Sequence, residues 1–483
     1  MKVFKYLSIF LVLALLLAGV GAQNALAGAY EATWVTSITY QNIGLTASTN
    51  GITLRFYATP NTTVPIVKLL ADLNSGASSS VYVGNLIDGE FQGTAVMTAD
   101  VPMAAVLVQL VPTTGSPVRV RPLSNGFVGG TSKTIVPTVF KASNINTLFT
   151  VQNAGSSNTN VTLKFIDTSA NLVTSESKLL APGAGYAIDM GTYAPVGSSF
   201  NGSVVIDAAN QTDQIVSSAM ELNTGADNTA RAFEGVSQGA MTVYMPNAAC
   251  NASGQTSYYA VQNTSTTPGQ IAHVTVDFTW KRADNTTFHN LKALTINPGA
   301  KQSISGCQYD TGSDPTNLPG SAKVSSSDYP VAVIGKTSGP GWQTAYVGFP
   351  SGPLKVALPY VRWADDAHYN TGNFQRTYIA IQNIGSSDLV AGAVTVKYID
   401  QNGVQQGSTH SLGALAQGAK LNSLPTNSGL STFGYWNNYT VSGGGAVIEC
   451  TAANCQLAVL ARITTYTGPG YSATEDYSGI PWQ

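Results

Sequence analysis

Residues 151–165 read VQNAGSSNTNVTLKF, and this stretch indicates how the chain folds. Its second half alternates the large apolar residues Val161, Leu163 and Phe165 with polar residues. Side chains of a β-strand point to opposite faces in turn, so the alternation predicts a strand that buries one face and exposes the other. The Gln-Asn pair, followed by small polar residues and a Gly, predicts the end of a preceding strand and a tight loop.

The same pattern occurs four times, which identifies an internal repeat. The glutamines of the Gln-Asn pairs are 111, 110 and 120 residues apart, at Gln41, Gln152, Gln262 and Gln382. An alternating strand follows each pair, at residues 52–56, 161–165, 274–278 and 394–398. A turn with a central Gly comes next, at Gly76, Gly183, Gly299 and Gly418. A further Gly then opens another strand, at Gly93, Gly202, Gly320 and Gly445. These markers predict hairpins in a fixed order.

The repeat determines the expected fold class and domain organisation. Units of roughly 100 to 120 residues have the usual size of a β-sandwich of about seven short strands. We therefore expect an all-β protein with four tandem immunoglobulin-like β-sandwich domains, set in a row after a cleaved signal peptide. The expected boundaries are 1–27 for the signal peptide and 28–131, 132–241, 242–352 and 353–483 for repeats 1 to 4. Repeat 1 lacks the aliphatic-Pro pair that opens the other three at Pro137, Pro246 and Pro359.

The N-terminal residues have the pattern of an export signal. Residues 2–5 carry two lysines, residues 6–17 form an apolar run, and Ala25 and Ala27 are small residues at the positions that a signal peptidase reads. We expect cleavage after Ala27; an earlier site at Ala22 and a retained anchor are the alternatives. No later segment has the 18 or so uncharged apolar residues that span a bilayer. The sequence thus predicts a secreted or cell-surface protein without a membrane span after cleavage.

Composition disfavours several classes of protein. Only 10% of the residues are charged, against about 25% in an average soluble domain, which disfavours long helical bundles. Hydrophobic residues make up 43% and the formal net charge is -2, which disfavours a disordered chain. No cluster of Lys and Arg supplies the charge that binds phosphates, so we expect no nucleic-acid partner.

The repeated motifs resemble a known group of modules. A strand that ends in Gln-Asn-x-Gly, a Val-Thr-Val-x-Tyr-x-Asp strand and a Pro-Gly-Ala turn are similar to the tandem β-sandwiches of bacterial secreted surface proteins, broadly the cell-adhesion-related bacterial domains (CARDB). The resemblance covers all four repeats. It implies immunoglobulin-like sandwiches that act as spacers, adhesive units or carbohydrate-proximal accessories. It implies no common catalytic residues and no cofactor.

Four cysteines in an exported chain favour disulfides over free buried thiols, which are the alternative. Cys250 and Cys307 both lie in repeat 3, and Cys450 and Cys455 both lie in repeat 4, so we predict pairing within each repeat. The first pair closes a loop of about 57 residues, for which the chain-entropy model gives up to about 4 kcal/mol. A zinc site is disfavoured because the four histidines show no ligand spacing relative to these cysteines.

Two loops are candidate binding sites. Asp310 and Asp314, in a Gly- and Pro-rich loop, are weak candidates for calcium ligands, and a solvated loop is the alternative. An insertion in repeat 4 carries aromatic residues suited to stacking on sugar rings or docking a partner, namely Phe433, Tyr435, Trp436 and Tyr439. Packing inside the protein is the alternative for these. We expect no catalytic residues, because no nucleophile elbow, zinc-protease motif or recurring carboxylate pair occurs.

These observations favour a secreted, non-enzymatic structural or adhesive surface protein, assembling into a filament, sheath or layer. The alternative is an extracellular carbohydrate-binding or accessory protein that uses the aromatic residues of repeat 4. The expected partners are accordingly other copies of the chain, other surface proteins or a polysaccharide. Residues 30–40, apolar and rich in β-forming residues, are the segment expected to pair with another subunit.

Overall fold

The computed structural model of the chain describes residues 34–60, 62–111, 121–224, 229–281, 286–308, 318–364, 374–434, 436–437, 440–441, 444–466 and 472–482. These residues are almost entirely β-strands and turns. The helical segments among them are three short 3-10 turns, Val83–Asn85, Ala194–Val196 and Pro425–Ser428. The chain is therefore an all-β protein, as the alternating strands predict.

Each repeat supplies a series of antiparallel strands. The described part of repeat 1 contains β1 (Val35–Asn42), β2 (Ile52–Ala58), β3 (Ile66–Leu70), β4 (Ser78–Tyr82), β5 (Gly93–Thr98), β6 (Met103–Leu110) and β7 (Leu123–Asn125). Repeat 2 contains β8 (Lys133–Lys141), β9 (Ile145–Asn153), β10 (Thr159–Asp167), β11 (Leu172–Leu180), β12 (Gly185–Asp189), β13 (Phe200–Ala208), β14 (Ile215–Asn223) and β15 (Ala230–Glu234).

Repeats 3 and 4 continue the series. Repeat 3 contains β16 (Thr242–Cys250), β17 (Thr256–Asn263), β18 (Ala272–Lys281), β19 (Thr287–Ile296), β20 (Lys301–Ser305), β21 (Leu318–Ser326), β22 (Val331–Gly339) and β23 (Trp342–Val347). Repeat 4 contains β24 (Lys355–Leu358), β25 (Trp363–Ala364), β26 (Phe374–Asn383), β27 (Val394–Asp400), β28 (Gln405–Ser411), β29 (Lys420–Ser423), β30 (Trp436–Asn437), β31 (Thr440–Val441), β32 (Gly444–Cys450), β33 (Leu457–Tyr466), β34 (Ser472–Ser478) and β35 (Ile480–Pro481).

The strands of each repeat form two layers with one shared topology; in repeat 2 the layers join into a single eight-stranded sheet, because Lys141 of β8 pairs with Asn146 of β9. What we name the CF sheet has the order β3-β2-β5 in repeat 1, β11-β10-β13-β8 in repeat 2, β19-β18-β21-β16 in repeat 3 and β28-β27-β32-β24-β35 in repeat 4. What we name the BG sheet has the order β4-β1-β6-β7, β12-β9-β14-β15, β20-β17-β22-β23 and, in repeat 4, β26-β33-β34 with β25 and β29 paired to β26. The two sheets enclose an apolar core, as in a β-sandwich.

The core of repeat 3 shows how the alternating strands fill a sandwich. Phe278 and Trp280, two residues apart on β18, stack with ring centroids 5.2 Å apart, and Tyr259 of the opposite sheet stacks on Phe278 at 5.6 Å. All three side chains are buried. Offset stacked rings contribute about 0.5–1.5 kcal/mol beyond the area that they bury. The period-two pattern of residues 274–280 therefore places its aromatic residues where the sequence predicts the core.

The four repeats close into a ring. The last strands of the BG sheets contact one another in sequence, β7 with β15, β15 with β23 and β23 with β34, and β34 also contacts β7. Each BG sheet also packs its outward face on the preceding repeat. Ala260 and Ile334 of repeat 3 join the core of repeat 2, and Ala104 and Val106 of repeat 1 join the core of repeat 4.

The expectation of an open row of domains is therefore wrong. Strands such as β22 carry apolar residues on both faces, so one face packs inside the repeat and the other must also leave water. Burial of apolar surface contributes roughly 25 cal/mol per Å², and docking each BG sheet on its neighbour gains this energy.

The structure also corrects the position of one sequence marker by one residue. Gly444 pairs with Asp400 as Gly202 pairs with Asp167, so Gly444, and not Gly445, opens the equivalent strand of repeat 4.

Candidate functional site

The asparagine of the Gln-Asn pair holds a turn within each repeat. The Asn383 side-chain amide donates to the Ser387 carbonyl at 2.8 Å and to the Leu415 carbonyl at 3.1 Å, and its Oδ1 accepts from the Gly385 amide at 3.0 Å. The same three kinds of bond are made in the other repeats by Asn42, Asn153 and Asn263. All four asparagines are buried. The Gln-Asn motif, predicted to end a strand, thus also acts as a buried clamp, because its asparagine side chain holds the adjoining turn.

The glutamine of the pair extends this hydrogen-bond network to the neighbouring repeat. Gln262 Nε2 donates to the Gly299 carbonyl of the turn at 3.1 Å, and the Ser203 hydroxyl of repeat 2 donates to the same carbonyl at 2.8 Å. Equivalent hydroxyl-to-carbonyl bonds join repeats 1 and 2 (Thr94 to Gly183, 2.8 Å) and repeats 3 and 4 (Ser321 to Gly418, 3.2 Å). In repeat 4 Gly445 has this position, and a Cβ there would lie 2.9 Å from Nε2 of Gln41 in repeat 1. Each turn docks on the preceding repeat.

Gly183→Ala is expected to weaken the junction between repeats 1 and 2. Gly183 has φ 77° and an added Cβ would lie 2.3 Å from the Tyr57 ring, whereas Gly418 has the same φ and nothing within 4 Å of its Cβ. An Ala at either glycine costs about 1–2 kcal/mol for the left-handed backbone. We expect Gly183→Ala to lower the free energy of unfolding in urea by about 2 kcal/mol more than Gly418→Ala, because only it adds the clash. Equal losses would contradict the docking.

The junction between repeats 2 and 3 contains a buried cluster of charges. The Glu221 carboxylate accepts hydrogen bonds from Arg231 at 2.5 Å and Lys336 at 2.6 Å, and its side chain has no exposed area. The Thr138 hydroxyl accepts from Lys336 at 2.9 Å and from Lys301 at 2.8 Å. A buried charge is tolerated only when it is paired and hydrogen-bonded. The cluster therefore couples repeat 2 tightly to repeat 3.

These contacts shift the titration of the cluster. Burial by itself raises the pKa of Glu221, but the charges of Arg231 and Lys336 outweigh burial and bring the pKa down to about 2. Burial lowers the pKa of Lys336 to about 8, with the Glu221 charge opposing that change. Burial, together with the Lys336 charge, lowers the pKa of Lys301 well below its ordinary value. Glu221 is thus ionised over the physiological range, as the anion of the cluster.

The two following junctions also bury ionisable side chains. Between repeats 3 and 4, Arg462 binds Asp476 through two bonds of 2.7 Å, and the Thr344 hydroxyl of repeat 3 donates to Asp476 at 2.6 Å. Between repeats 4 and 1, Arg121 lies 3.3 Å from Glu475. Burial raises the pKa of Glu475 to about 8 against the opposing charge of Arg121. Ionisable groups in these places hold the ring together, and their shifted pKa values follow from burial at the junctions.

The junction between repeats 1 and 2 differs from the other three. It contains an apolar cluster, in which Trp34 and Val111 of repeat 1 pack against Leu148, Met220 and Leu222 of repeat 2. Gly185 pairs with Gln152 in repeat 2 as Lys301 pairs with Gln262 in repeat 3. Met220 pairs with Leu148 as Lys336 pairs with Tyr258. The two lysines that face repeat 2 therefore have uncharged counterparts where repeat 2 faces repeat 1.

The cysteines form two disulfides, each within one repeat. Cys250 is bonded to Cys307, with Cα atoms 4.9 Å apart, and Cys450 to Cys455, with Cα atoms 6.3 Å apart. The first disulfide joins the end of β16 to the segment after β20, and the second closes the turn between β32 and β33. Bonds of this kind suit an oxidising compartment.

Of the aromatic side chains in the repeat 4 insertion, the structure describes that of Phe433, and it does not lie in an exposed cluster. Phe433 is buried, its ring packs edge-on against Tyr398 at 5.5 Å, and its backbone pairs with Trp363. Trp436 lies on β30, where its backbone pairs with Val441. Tyr435 and Tyr439 fall outside the described residues. Phe433 is therefore a core residue, and the prediction that it contacts a ligand or partner is wrong.

The remaining predicted sites lie outside the residues that the structure describes. Asp310 and Asp314 fall outside the described residues, as does the expected signal peptide at 1–27. No group of three or more potential metal ligands occurs in the part of the chain that the structure describes. The described residues likewise contain no helix long and apolar enough to cross a membrane. An open depression of about 530 Å³ lies beside Tyr244, Gln417 and Asn454, and its lining contains no carboxylate, histidine or lysine.

Comparisons with known proteins give little further information. No family model and no curated protein matches the chain. Among solved structures, the comparison pairs it with the crystal structure of CfaE, the adhesive subunit of the CFA/I fimbria of enterotoxigenic Escherichia coli. The identity is 8%, the match covers 50% of this chain and 94% of that chain, and the TM-score is 0.10. A TM-score this low carries no argument, and the similarity to CARDB modules stays a prediction from the motifs.

Proposed function

We propose that this protein is an exported structural or adhesive component of the cell surface, without catalytic activity. The observation that supports it best is the closed ring, in which the repeated polar residues are used to hold sandwich to sandwich. The Gln-Asn pairs clamp the turns, Glu221 and Arg462 lie in ion pairs at the junctions, and Arg121 of repeat 1 lies beside Glu475 of repeat 4. Such a ring is a rigid building block with many solvent-exposed strand edges, suited to holding other surface molecules in fixed places.

The disulfides and the low charge support the same proposal. Both disulfides need a compartment that keeps them oxidised, and three of the four junctions of the ring involve the repeats that contain them. A net charge near zero weakens the repulsion that keeps soluble proteins apart. Both properties suit a protein that works outside the cell in contact with other molecules.

Immunogold electron microscopy of intact, non-permeabilised source cells tests this proposal. We expect label on the cell surface and reduced adhesion or a disturbed surface layer in cells that lack the protein. Re-expression of the wild-type chain should restore the surface, and so should the Gly418→Ala chain, which keeps every junction contact. Label confined to the cell interior, or an unchanged surface in the deletion strain, would contradict the proposed function.

A further inference from the structure

Among the described residues, the CF sheet of repeat 1 has one strand fewer than the CF sheets of repeats 2 and 3. We name β8, β16 and β24 the A-strands; each pairs with the Gly-led strand of its CF sheet, β13, β21 and β32 respectively. The equivalent Gly-led strand of repeat 1 is β5, which pairs with β2 on one side. On its other side β5 pairs with no strand among the described residues. The CF sheet of repeat 1 therefore ends one strand early.

The missing strand leaves the core of repeat 1 partly uncovered. Val204 and Ile206 of β13 are 0% exposed beneath β8. Their counterparts on β5, Ala95 and Met97, are only partly buried, and β5 as a whole has no fully buried residue. Ala95 and Met97 thus remain partly accessible to water, whereas the equivalent residues of repeat 2 are completely buried. The gap is therefore an apolar groove with a strand edge along one wall.

The backbone at this edge is available for pairing. The Ala95 carbonyl accepts a long hydrogen bond of 3.5 Å from Gln152 of repeat 2, so it points away from β2 and towards the open side. In an antiparallel ladder the amide and carbonyl of one residue point to the same side, and alternate residues share that side. Ala95 and Met97 accordingly present donors and acceptors to an incoming strand. An exposed edge of this kind is a template for strand addition.

The opposite wall of the groove is uncharged. Gly185 and Met220 of repeat 2 are the structural equivalents of Lys301 and Lys336 of repeat 3. Those two lysines donate hydrogen bonds to Thr138 of β8. Met220 packs in a cluster with Trp34 and Val111 of repeat 1. A strand entering here would meet apolar side chains on both sides. The groove therefore suits an aliphatic segment.

The chain's own N-terminus is too short to fill the groove if cleavage follows Ala27. β1 begins at Val35 and Trp34 is already packed in the junction, which leaves residues 28–33. In repeat 2 three residues link β8 to β9, so a similar corner would leave only about three residues, or about 10 Å of strand. β5 has 6 residues. With cleavage after Ala27, residues 28–33 alone are too few to complete the sheet, and a second polypeptide is the source that we consider.

We propose that the open edge of β5 binds an extended segment of a partner surface protein by β-augmentation. The partner's segment has aliphatic residues on both sides of a proline, because such a strand fills this place in repeat 2, where Val136 and Val139 of β8 flank Pro137. Main-chain hydrogen bonds to Ala95 and Met97 give affinity, and the side chains filling the groove give specificity. This inference deepens the proposed function by naming where the surface protein takes its partner.

A peptide with the sequence of residues 133–141, KTIVPTVFK, is the probe for the groove. We expect the labelled peptide to bind the purified mature protein in fluorescence anisotropy, and a peptide with Val136→Asp and Val139→Asp to bind at least about tenfold more weakly. In the protein, Met97→Asp should weaken binding by about tenfold. The control Thr98→Asp, at the exposed end of β5, should change it less than about twofold. No binding, or equal binding by all pairs, would overturn the proposal.

Hydrogen exchange locates the bound strand and identifies other occupants. We expect the amides of Ala95 and Met97 to exchange rapidly in the free protein and slowly with the peptide, while those of Val204 and Ile206 exchange slowly throughout. Slow exchange at Ala95 and Met97 in the free monomer would mean that the chain's own N-terminus fills the groove. Slow exchange only in an oligomer would mean that a second copy fills it. Either result overturns the partner proposal, whereas surface labelling of cells tests the proposed function separately.

Discussion

Replacing Glu221 with Ala is expected to lower the free energy of unfolding by about 3–5 kcal/mol. The substitution leaves Lys336 and Arg231 buried without their anion, and an uncompensated buried charge destabilises a protein by that amount. Because the cluster spans the junction between repeats 2 and 3, the loss should also loosen the ring there. Urea unfolding followed by tryptophan fluorescence measures the effect, with Trp280 and Trp342 of repeat 3 as nearby reporters.

Asp207→Ala is the matched control for this prediction. Asp207 also lies in repeat 2 and its carboxylate is 2.9 Å from Lys164, but their side chains are 36% and 38% exposed. Solvent screens a pair of this kind, so its removal should cost less than about 1 kcal/mol. Similar losses for Asp207→Ala and Glu221→Ala would show that burial at the junction adds nothing to the Glu221 cluster.

The Glu221 cluster also gives the protein a defined acid sensitivity. The pKa of Glu221 in the folded chain is about 2, below its ordinary value of 4.5. A carboxyl whose folded pKa is lowered contributes stability that is fully present above the unfolded pKa and is lost as the pH falls through the folded pKa. The shift corresponds to a contribution on the order of 3 kcal/mol. Wild type minus Glu221→Gln should therefore show a stability difference that declines between about pH 4.5 and 2.

The sequence predicts the strands of this protein better than their packing. The alternation in residues 161–165 and 274–278 correctly indicates strands with one core face. The unbroken apolar run of β22, residues 331–334, carried the signal of a strand buried on both faces. That signal cannot say which neighbour covers the second face, because pairing between repeats depends on contacts far apart in the chain. The closure of repeat 4 on repeat 1 consequently has no local sequence marker.

The candidate site was predicted in part for similar reasons. The cysteine positions indicate pairing because both partners fall in one repeat. Phe433 was wrongly predicted to be a contact residue, since composition alone cannot distinguish an exposed ring from one that packs on Tyr398 inside the sandwich. The missing A-strand of repeat 1 had a visible signal in the absent aliphatic-Pro pair. The apolar composition of residues 30–40 instead predicted that this segment pairs with another subunit, but β1 is already paired on both sides, by β4 and β6.

Asn383→Ala is expected to lower the free energy of unfolding by about 3 kcal/mol. It removes the bonds to Ser387, Leu415 and Gly385 at 2.8, 3.1 and 3.0 Å and leaves their backbone groups unpaired near a side chain that is 0% exposed. Each buried polar group left without a partner costs about 1–3 kcal/mol, with some relief from water that enters. The damage should centre on the turn that docks repeat 4 on repeat 3, and urea unfolding measures the total.

Asn422→Ala provides the control in the same repeat, because Asn422 is exposed on β29 and surface substitutions usually change stability by less than about 0.5 kcal/mol. Hydrogen exchange adds the location. The Gly418 amide donates to the Asn383 carbonyl at 2.8 Å, and the Asn383 amide donates to the Ala419 carbonyl at 3.0 Å. Both amides should exchange faster in Asn383→Ala, because the side-chain clamp no longer holds the turn against β26. Unchanged exchange there, with stability equal to that of Asn422→Ala, would show that the repeated asparagine does not clamp the turn.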